Sequence, residues 1–206
     1  LNLGVLVSGS GSNLQAILDA VSAGTLDADV RVVISNIPGV KALERAERAG
    51  VPTRTLAHRD YSDRLAFEQA LVDELARFGV QWVALAGFMR VLRGPMLHAF
   101  EGRLVNIHPA LLPSFPGTHG QRQALQYGAK VSGCTVHFVD EGVDSGPIIA
   151  QRAVPVLDDD DEASLGARIL EQEHALFVEV LRWIAADRVR IERHDGARSR
   201  VRVLPA

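Results

Sequence analysis

A single cysteine, Cys134, occurs in 206 residues. A lone thiol excludes an internal disulfide framework and a paired-cysteine metal site, and it suits a reducing compartment. No apolar stretch reaches the roughly 18 residues that a membrane helix needs. The first residues read as a strand rather than a signal peptide. Charge of one sign is not in excess either. The net charge of −3 gives no general drive toward nucleic acid or an anionic membrane. No segment repeats, and none is low in complexity. What remains is a chain with 47% hydrophobic and 23% charged residues, long enough to bury a real core. The expectation is one domain over 1–206, cytoplasmic, monomeric or homodimeric, with neither a nucleic-acid nor a membrane partner.

Short β-type runs alternate with amphipathic helical patterns through the first half. Apolar strands are expected at 3–7, 30–35, 82–86 and 104–107, with a short third strand in chain order at 53–56. Leu14, Ile17, Leu18 and Val21 repeat at helical spacing and stop near Gly24; a second helix runs through Leu43 and Ala46 to Gly50. Phe67, Leu71, Leu75 and Phe78 stripe a third helix over about 62–78, with Gly79 as its terminator. Strand–helix–strand alternation with fully apolar strands predicts an α/β fold: a Rossmann-like, mostly parallel twisted sheet with helices on both faces. Ligands of such sheets sit beyond the strand C-termini. The segments 8–13, 87–92 and 106–109 are therefore expected at one edge.

The second half differs. Pro113, Pro116 and Gly117 make 110–120 loop-like, and strands at 134–139 and 148–156 flank a loop over 140–146. The acidic run 158–162 precedes a long helix, whose N-terminus its charge complements. The tail over 188–204 alternates Arg with Val or Ile around Asp195 and Gly196, which predicts a terminal hairpin.

Three residues carry the chemistry. Asn106 and His108 lie two apart at the exit of the 104–107 strand, so their side chains share a side. Asp144 stands between Gly142 and Gly146. An amide donor, a titratable ring and a carboxylate suit attack on a carbonyl whose oxygen becomes negative. The alternative is a strand-end histidine and a turn-capping aspartate.

Other motifs are less specific. Gly9-Ser10-Gly11-Ser12-Asn13 joins a strand to a helix, and helix-start amides bind anions. A dinucleotide fits poorly, since Leu14 stands at the third glycine of that fingerprint and Asn36 where an acid should end the second strand. A monophosphate fits better, and a purely structural turn stays open. Gly87-Phe88-Met89-Arg90-Val91-Leu92 either lines a pocket for a flat, partly anionic ligand or starts a helix. Glu173 falls on the apolar stripe of Leu165, Ile169, Leu176 and Val180, so it needs either an internal Arg or a ligand as partner. His108, His119 and His137 lack ligand spacing, and no metal is expected. No GxSxG occurs, which excludes a nucleophile elbow.

Ser8-Gly9-Ser10-Gly11-Ser12-Asn13-Leu14-Gln15, Ala86-Gly87-Phe88-Met89-Arg90, Asn106-Ile107-His108-Pro109-Ala110-Leu111-Leu112-Pro113 and the stretch 133–146 closely resemble the phosphoribosylglycinamide formyltransferases. These are folate-dependent formyltransferases, and the resemblance runs through nearly the whole chain in order. It implies formyl transfer from 10-formyltetrahydrofolate, a co-substrate, to the amine of glycinamide ribonucleotide in purine biosynthesis. It implies a nucleotide-binding half over about 1–100 and a folate-binding, catalytic half over about 101–206. Gly11, Ser12 and Asn13 would hold the substrate phosphate, and Glu173 its ribose or glycinamide end. Met89, Arg90, Val91 and Leu92 would border the pterin together with Asn106 and the loop of Asp140, Glu141, Gly142, Val143 and Asp144. Arg64 would meet the folate's glutamate carboxylate. Two positions depart from the pattern: Ala110 where the family often has Ser, and Gln121 where some members have His.

On this reading Asn106 donates to the oxyanion, protonated His108 stabilises it, and Asp144 raises the pKa of His108. Methionyl-tRNA formyltransferases share the core but carry a further C-terminal domain. Formyltetrahydrofolate hydrolases carry a further N-terminal one. Here a first strand opens the chain, and little follows the last helix. The third alternative is a non-catalytic nucleotide-binding module.

Overall fold

The computed structural model describes residues 1–193 and 198–205. The chain divides into two compact units, Leu1–Asn106 and Ile107–Ala206. In the first, strands β1 (Asn2–Val7), β2 (Asp29–Ser35), β3 (Thr53–Thr55) and β4 (Trp82–Leu85) alternate with helices α1 (Ser12–Ser22), α2 (Lys41–Arg48) and α3 (Arg64–Arg77). A short helix, α4 (Gly94–Ala99), leads to β5 (Leu104–His108), which runs across the boundary. The strand order is β3-β2-β1-β4-β5, every pairing parallel.

Burial explains the order. Leu3, Val5, Leu6 and Val7 of β1 are wholly buried, as a central parallel strand requires. Leu14, Ile17 and Leu18 of α1, and Phe67, Leu71 and Leu75 of α3, supply the apolar faces that cover it. Phe78 caps α3 and is only half-buried, because the helix ends at Arg77. Asp63 starts that helix by accepting the Ala66 N–H at 2.9 Å. Because β2 and β4 flank β1 on opposite sides, their crossovers diverge there. The loops after β1 and β4 meet at this switch point.

The second unit contains α5 (Gly120–Tyr127), antiparallel strands β6 (Val131–Phe138) and β7 (Ile148–Pro155), α6 (Glu162–Ala185), and a hairpin of β8 (Val189–Glu192) with β9 (Arg200–Val203). Strands β6 and β7 complete a seven-stranded, mostly parallel sheet. The expected hairpin turn at Asp195 and Gly196 lies outside the described residues. The acidic run divides its labour. Asp161 accepts the Ser164 N–H at 2.8 Å while Ser164 Oγ accepts the Asp161 N–H at 3.0 Å, a capping box. Asp160 pairs with Arg168 and Asp158 with Lys130. Sequence periodicity misses α4 and α5, because only Met96 is buried in the first and only Gly120 and Ala124 in the second. Strand β6 also begins three residues before the expected 134. Among the described residues no helix is long and apolar enough to cross a membrane.

Candidate functional site

In the first unit the loop after β1 forms a cavity of about 150 Å³, lined by Ser8 to Asn13 with Ala86, Gly87 and Met89. Gly11 occupies the N-cap of α1 at φ +71°, a left-handed conformation that glycine adopts without cost. A side chain there would also meet the Ala42 Cβ at 2.6 Å. No side-chain hydrogen bond caps α1, and the start of a helix attracts anions through its amides and its dipole. Gly11, Ser12 and Asn13 thus lie together at a helix start, as the sequence predicts. Arg45, which sequence reasoning overlooked, steadies the loop: its Nε donates to the Ser10 carbonyl at 2.9 Å.

The stretch after β4 borders the same cavity through Met89. Ser8 Oγ accepts the Met89 N–H at 2.8 Å and donates to Asn36 Oδ1. Met89 is 68% exposed and Val91 44% exposed, an apolar pair turned to solvent, with Arg90 exposed between them. Leu92 turns inward and is 2% exposed, unlike its neighbours. Arg64 begins α3 with its side chain half-exposed.

In the second unit His108 is 3% exposed. Its Nε2 lies 2.9 Å from the Phe115 carbonyl and its Nδ1 3.3 Å from Asp144 Oδ2. Asp144 Oδ2 also accepts the Gly117 N–H at 2.7 Å. His137, on β6, is 2% exposed and sets its Nε2 3.6 Å from Asp144 Oδ1, while its Nδ1 lies 2.8 Å from the Phe138 carbonyl. The sequence suggested His137 only as a metal ligand to be discarded. Its signal was its place on an inward-facing strand position, which does not name Asp144 as partner.

The loop bearing Asp144 is held from inside. Asp140 Oδ1 accepts from the Gly142 N–H and from Ser145 Oγ. Asp144 adopts φ +50°, uncommon for a residue with a side chain. Gly146 lies so close to the Phe138 carbonyl that no Cβ fits. Glu141, Gly142 and Val143 are exposed. Glu173 does face inward on α6, 7% exposed, and its charge acts on the buried Cys134. Ala110 is wholly buried, and its carbonyl accepts from Thr135 Oγ1 at 2.7 Å. Asn106 is half-buried in β5, two residues before His108.

Asp144 pulls the pKa of His108 up, as expected, but the net shift is downward. Burial pushes the ring's pKa down, and this outweighs the upward pull of Asp144 and of the Phe115 carbonyl. The net shift favours the neutral ring. Asp144 is the reverse case: burial alone would raise its pKa, but the His137 hydrogen bond, the His108 charge and the Gly117 amide hold it below the usual carboxylate range. Among the described residues no cluster of three or more His, Cys, Asp or Glu side chains could hold a metal ion.

A family model described as formyl transferase matches residues 1–181. The chain is 55% identical over 179 residues to the trifunctional purine biosynthetic protein adenosine-3 of Drosophila melanogaster, covering 86% of this chain but 13% of that protein. It therefore spans about an eighth of that relative's length. It is 43% identical over 197 residues to the phosphoribosylglycinamide formyltransferase of Escherichia coli (strain K12), covering 96% of this chain and 92% of that protein. Among solved structures, glycinamide ribonucleotide transformylase 1 from Symbiobacterium toebii superposes with a TM-score of 0.95 at 52% identity, covering 100% of this chain and 94% of that one.

Proposed function

We propose, from the premise that the chain belongs to the formyl transferase family, that it moves the formyl group of 10-formyltetrahydrofolate onto the amine of glycinamide ribonucleotide. The carrying observation is the buried His108–Asp144 pair at 3.3 Å, with Asn106 two residues before His108 on the same strand. Such a set has no nucleophile of its own. It serves a reaction in which the substrate supplies the attacking atom.

The ribonucleotide phosphate is held at the start of α1 by Gly11, Ser12 and Asn13, and its ribose or glycinamide end by Glu173. The pterin is bordered by Met89, Arg90, Val91 and Leu92, with Asn106 and the loop of Asp140, Glu141, Gly142, Val143 and Asp144. Arg64 meets the folate's glutamate carboxylate.

The amine lone pair attacks the formyl carbon, a C–N bond forms, and the carbonyl electrons move to oxygen. The Asn106 amide donates to that oxyanion. The ammonium proton passes to neutral His108, directly or through a water, and Asp144 stabilises the imidazolium that results. Collapse breaks the bond from the formyl carbon to the folate nitrogen, which takes the proton from His108. Formyl group and proton both end in new places, and the protein is unchanged.

The test is incubation with 10-formyltetrahydrofolate, with and without glycinamide ribonucleotide. Formylated ribonucleotide appearing only with both present is the expected result. Folate deformylation without the ribonucleotide marks a hydrolase, and no reaction marks a binding module. Either outcome overturns the reading.

A further inference from the structure

The strip 89–92, exposed through Val91, hangs between two side chains. Ser8 Oγ accepts the Met89 N–H at its start. At its end, Glu68 Oε1 accepts the Arg93 N–H at 2.9 Å and Oε2 receives the Met96 N–H at 3.5 Å. Arg93 is the N-cap residue of α4 and makes no side-chain cap of its own. Glu68, reaching across from α3, takes that place.

Glu68 is wholly buried. A carboxylate in such a place is costly unless charge or hydrogen bonds compensate it. Burial pushes its pKa up, opposed by the two amides and by Arg64. A neutral amide side chain could accept one of these N–H groups at lower desolvation cost, so a carboxyl at this place calls for a separate reason. Arg64 supplies one. It lies one turn earlier on α3, its Nε 3.8 Å from Glu68 Oε1, with nearly half its side chain exposed. One buried carboxylate thus touches both the residue assigned to the folate's glutamate end and the backbone that ends the strip assigned to its pterin.

We propose that Glu68 is a positioning residue for the folate, fixing Arg64 and the strip 89–92 at a set separation. This rests on the folate reading of Arg64 and of 89–92 given above. Glu68 touches no reacting atom. Its effect belongs in folate affinity and not in the chemical step.

The test is Glu68→Gln, which keeps the size and one acceptor but loses the charge and turns an N–H toward the Met96 amide. The wild-type transfer assay comes first. If wild type transfers no formyl group, the functional reading fails and takes this proposal with it. If it does, Glu68→Gln is expected to raise KM for 10-formyltetrahydrofolate about tenfold, the scale of one hydrogen bond to a charged group. KM for glycinamide ribonucleotide and kcat should stay within about twofold. An unshifted folate KM overturns the proposal alone. So does a loss shared equally by both KM values and kcat, which marks general loosening. Should the Gln variant not fold, Glu68→Asp keeps the charge and withdraws it by one methylene. It must then show the same selective rise, and its absence overturns the proposal.

Discussion

Asp144 Oδ2 lies 3.3 Å from Nδ1 of His108, whose other ring nitrogen is already 2.9 Å from the Phe115 carbonyl. Both nitrogens therefore face acceptors. A neutral imidazole donates from one nitrogen only. One of the two contacts lacks a proton in the resting enzyme, and an arriving proton completes both. Burial favours the neutral ring, while the two acceptors stabilise the charged ring once it forms. That is the behaviour required of a group that takes a proton from an amine and returns it to a leaving nitrogen.

A pH profile follows with a definite sign. Activity requires neutral His108, so kcat/KM falls as pH drops through its lowered pKa. In Asp144→Asn the upward pull of the carboxylate is gone, so the acid limb moves to still lower pH. The imidazolium also loses its partner, and kcat falls about 10²–10⁴-fold, the usual contribution of acid–base catalysis. Both KM values change little. A limb that stays in place, or moves to higher pH, removes Asp144 as the partner of His108.

Asn106→Ala tests the oxyanion donor separately. It should lower kcat about 10²–10³-fold and leave the acid limb where wild type has it, because the amide does not titrate. Steady-state kinetics across pH distinguishes the two variants. A shifted limb in Asn106→Ala would mean that the amide acts through His108.

The parallel part of the sheet was legible because its central strands are largely apolar runs and its helices carry 3.6-residue stripes, while β3 is only Thr53-Arg54-Thr55. Asn106, His108 and Asp144 could be picked out as chemical types, and Glu173 by its position on an apolar face. The missing parts are those that depend on three-dimensional neighbours. The Phe115 carbonyl and the Gly117 amide are backbone groups and carry no signature in the residue string. Glu68 reads as an ordinary helix-surface acid four residues after Arg64, yet it is wholly buried. The sign of the His108 shift depends on depth of burial, which a sequence does not state. The sequence supplied Asp144's pull and not the opposing desolvation.

Gly11→Ala tests the anion loop. At φ +71° a side chain is strained, and its Cβ would stand 2.6 Å from the Ala42 Cβ and 2.7 Å from its Cα. Backbone cannot swing aside, so the loop or α2 must shift. The expected cost is about 1–3 kcal/mol of stability, with KM for glycinamide ribonucleotide raised about tenfold. The control is Gly24→Ala, also left-handed at φ +67° but with nothing nearby. It should cost about 1–2 kcal/mol from backbone strain alone and leave both KM values unchanged. Chemical denaturation and paired kinetics read both effects. Equal KM behaviour in the two variants would separate the loop from phosphate binding.

Cys134 should be chemically silent in the folded protein. It is wholly buried in β6, and its thiol is pushed up to about 12, first by burial and then by the negative charge of Glu173. At pH 8 only about one molecule in 10⁴ would carry the reactive thiolate, and the reagent must also reach it. Iodoacetamide applied to the native protein at pH 8 for an hour is therefore expected to add no mass and leave transfer intact. The same treatment in guanidinium chloride should label it completely. Native labelling at the rate of an exposed thiol would show that the face where β6 meets Glu173 opens to solvent. The inward placement of Cys134 and Glu173 would then fall.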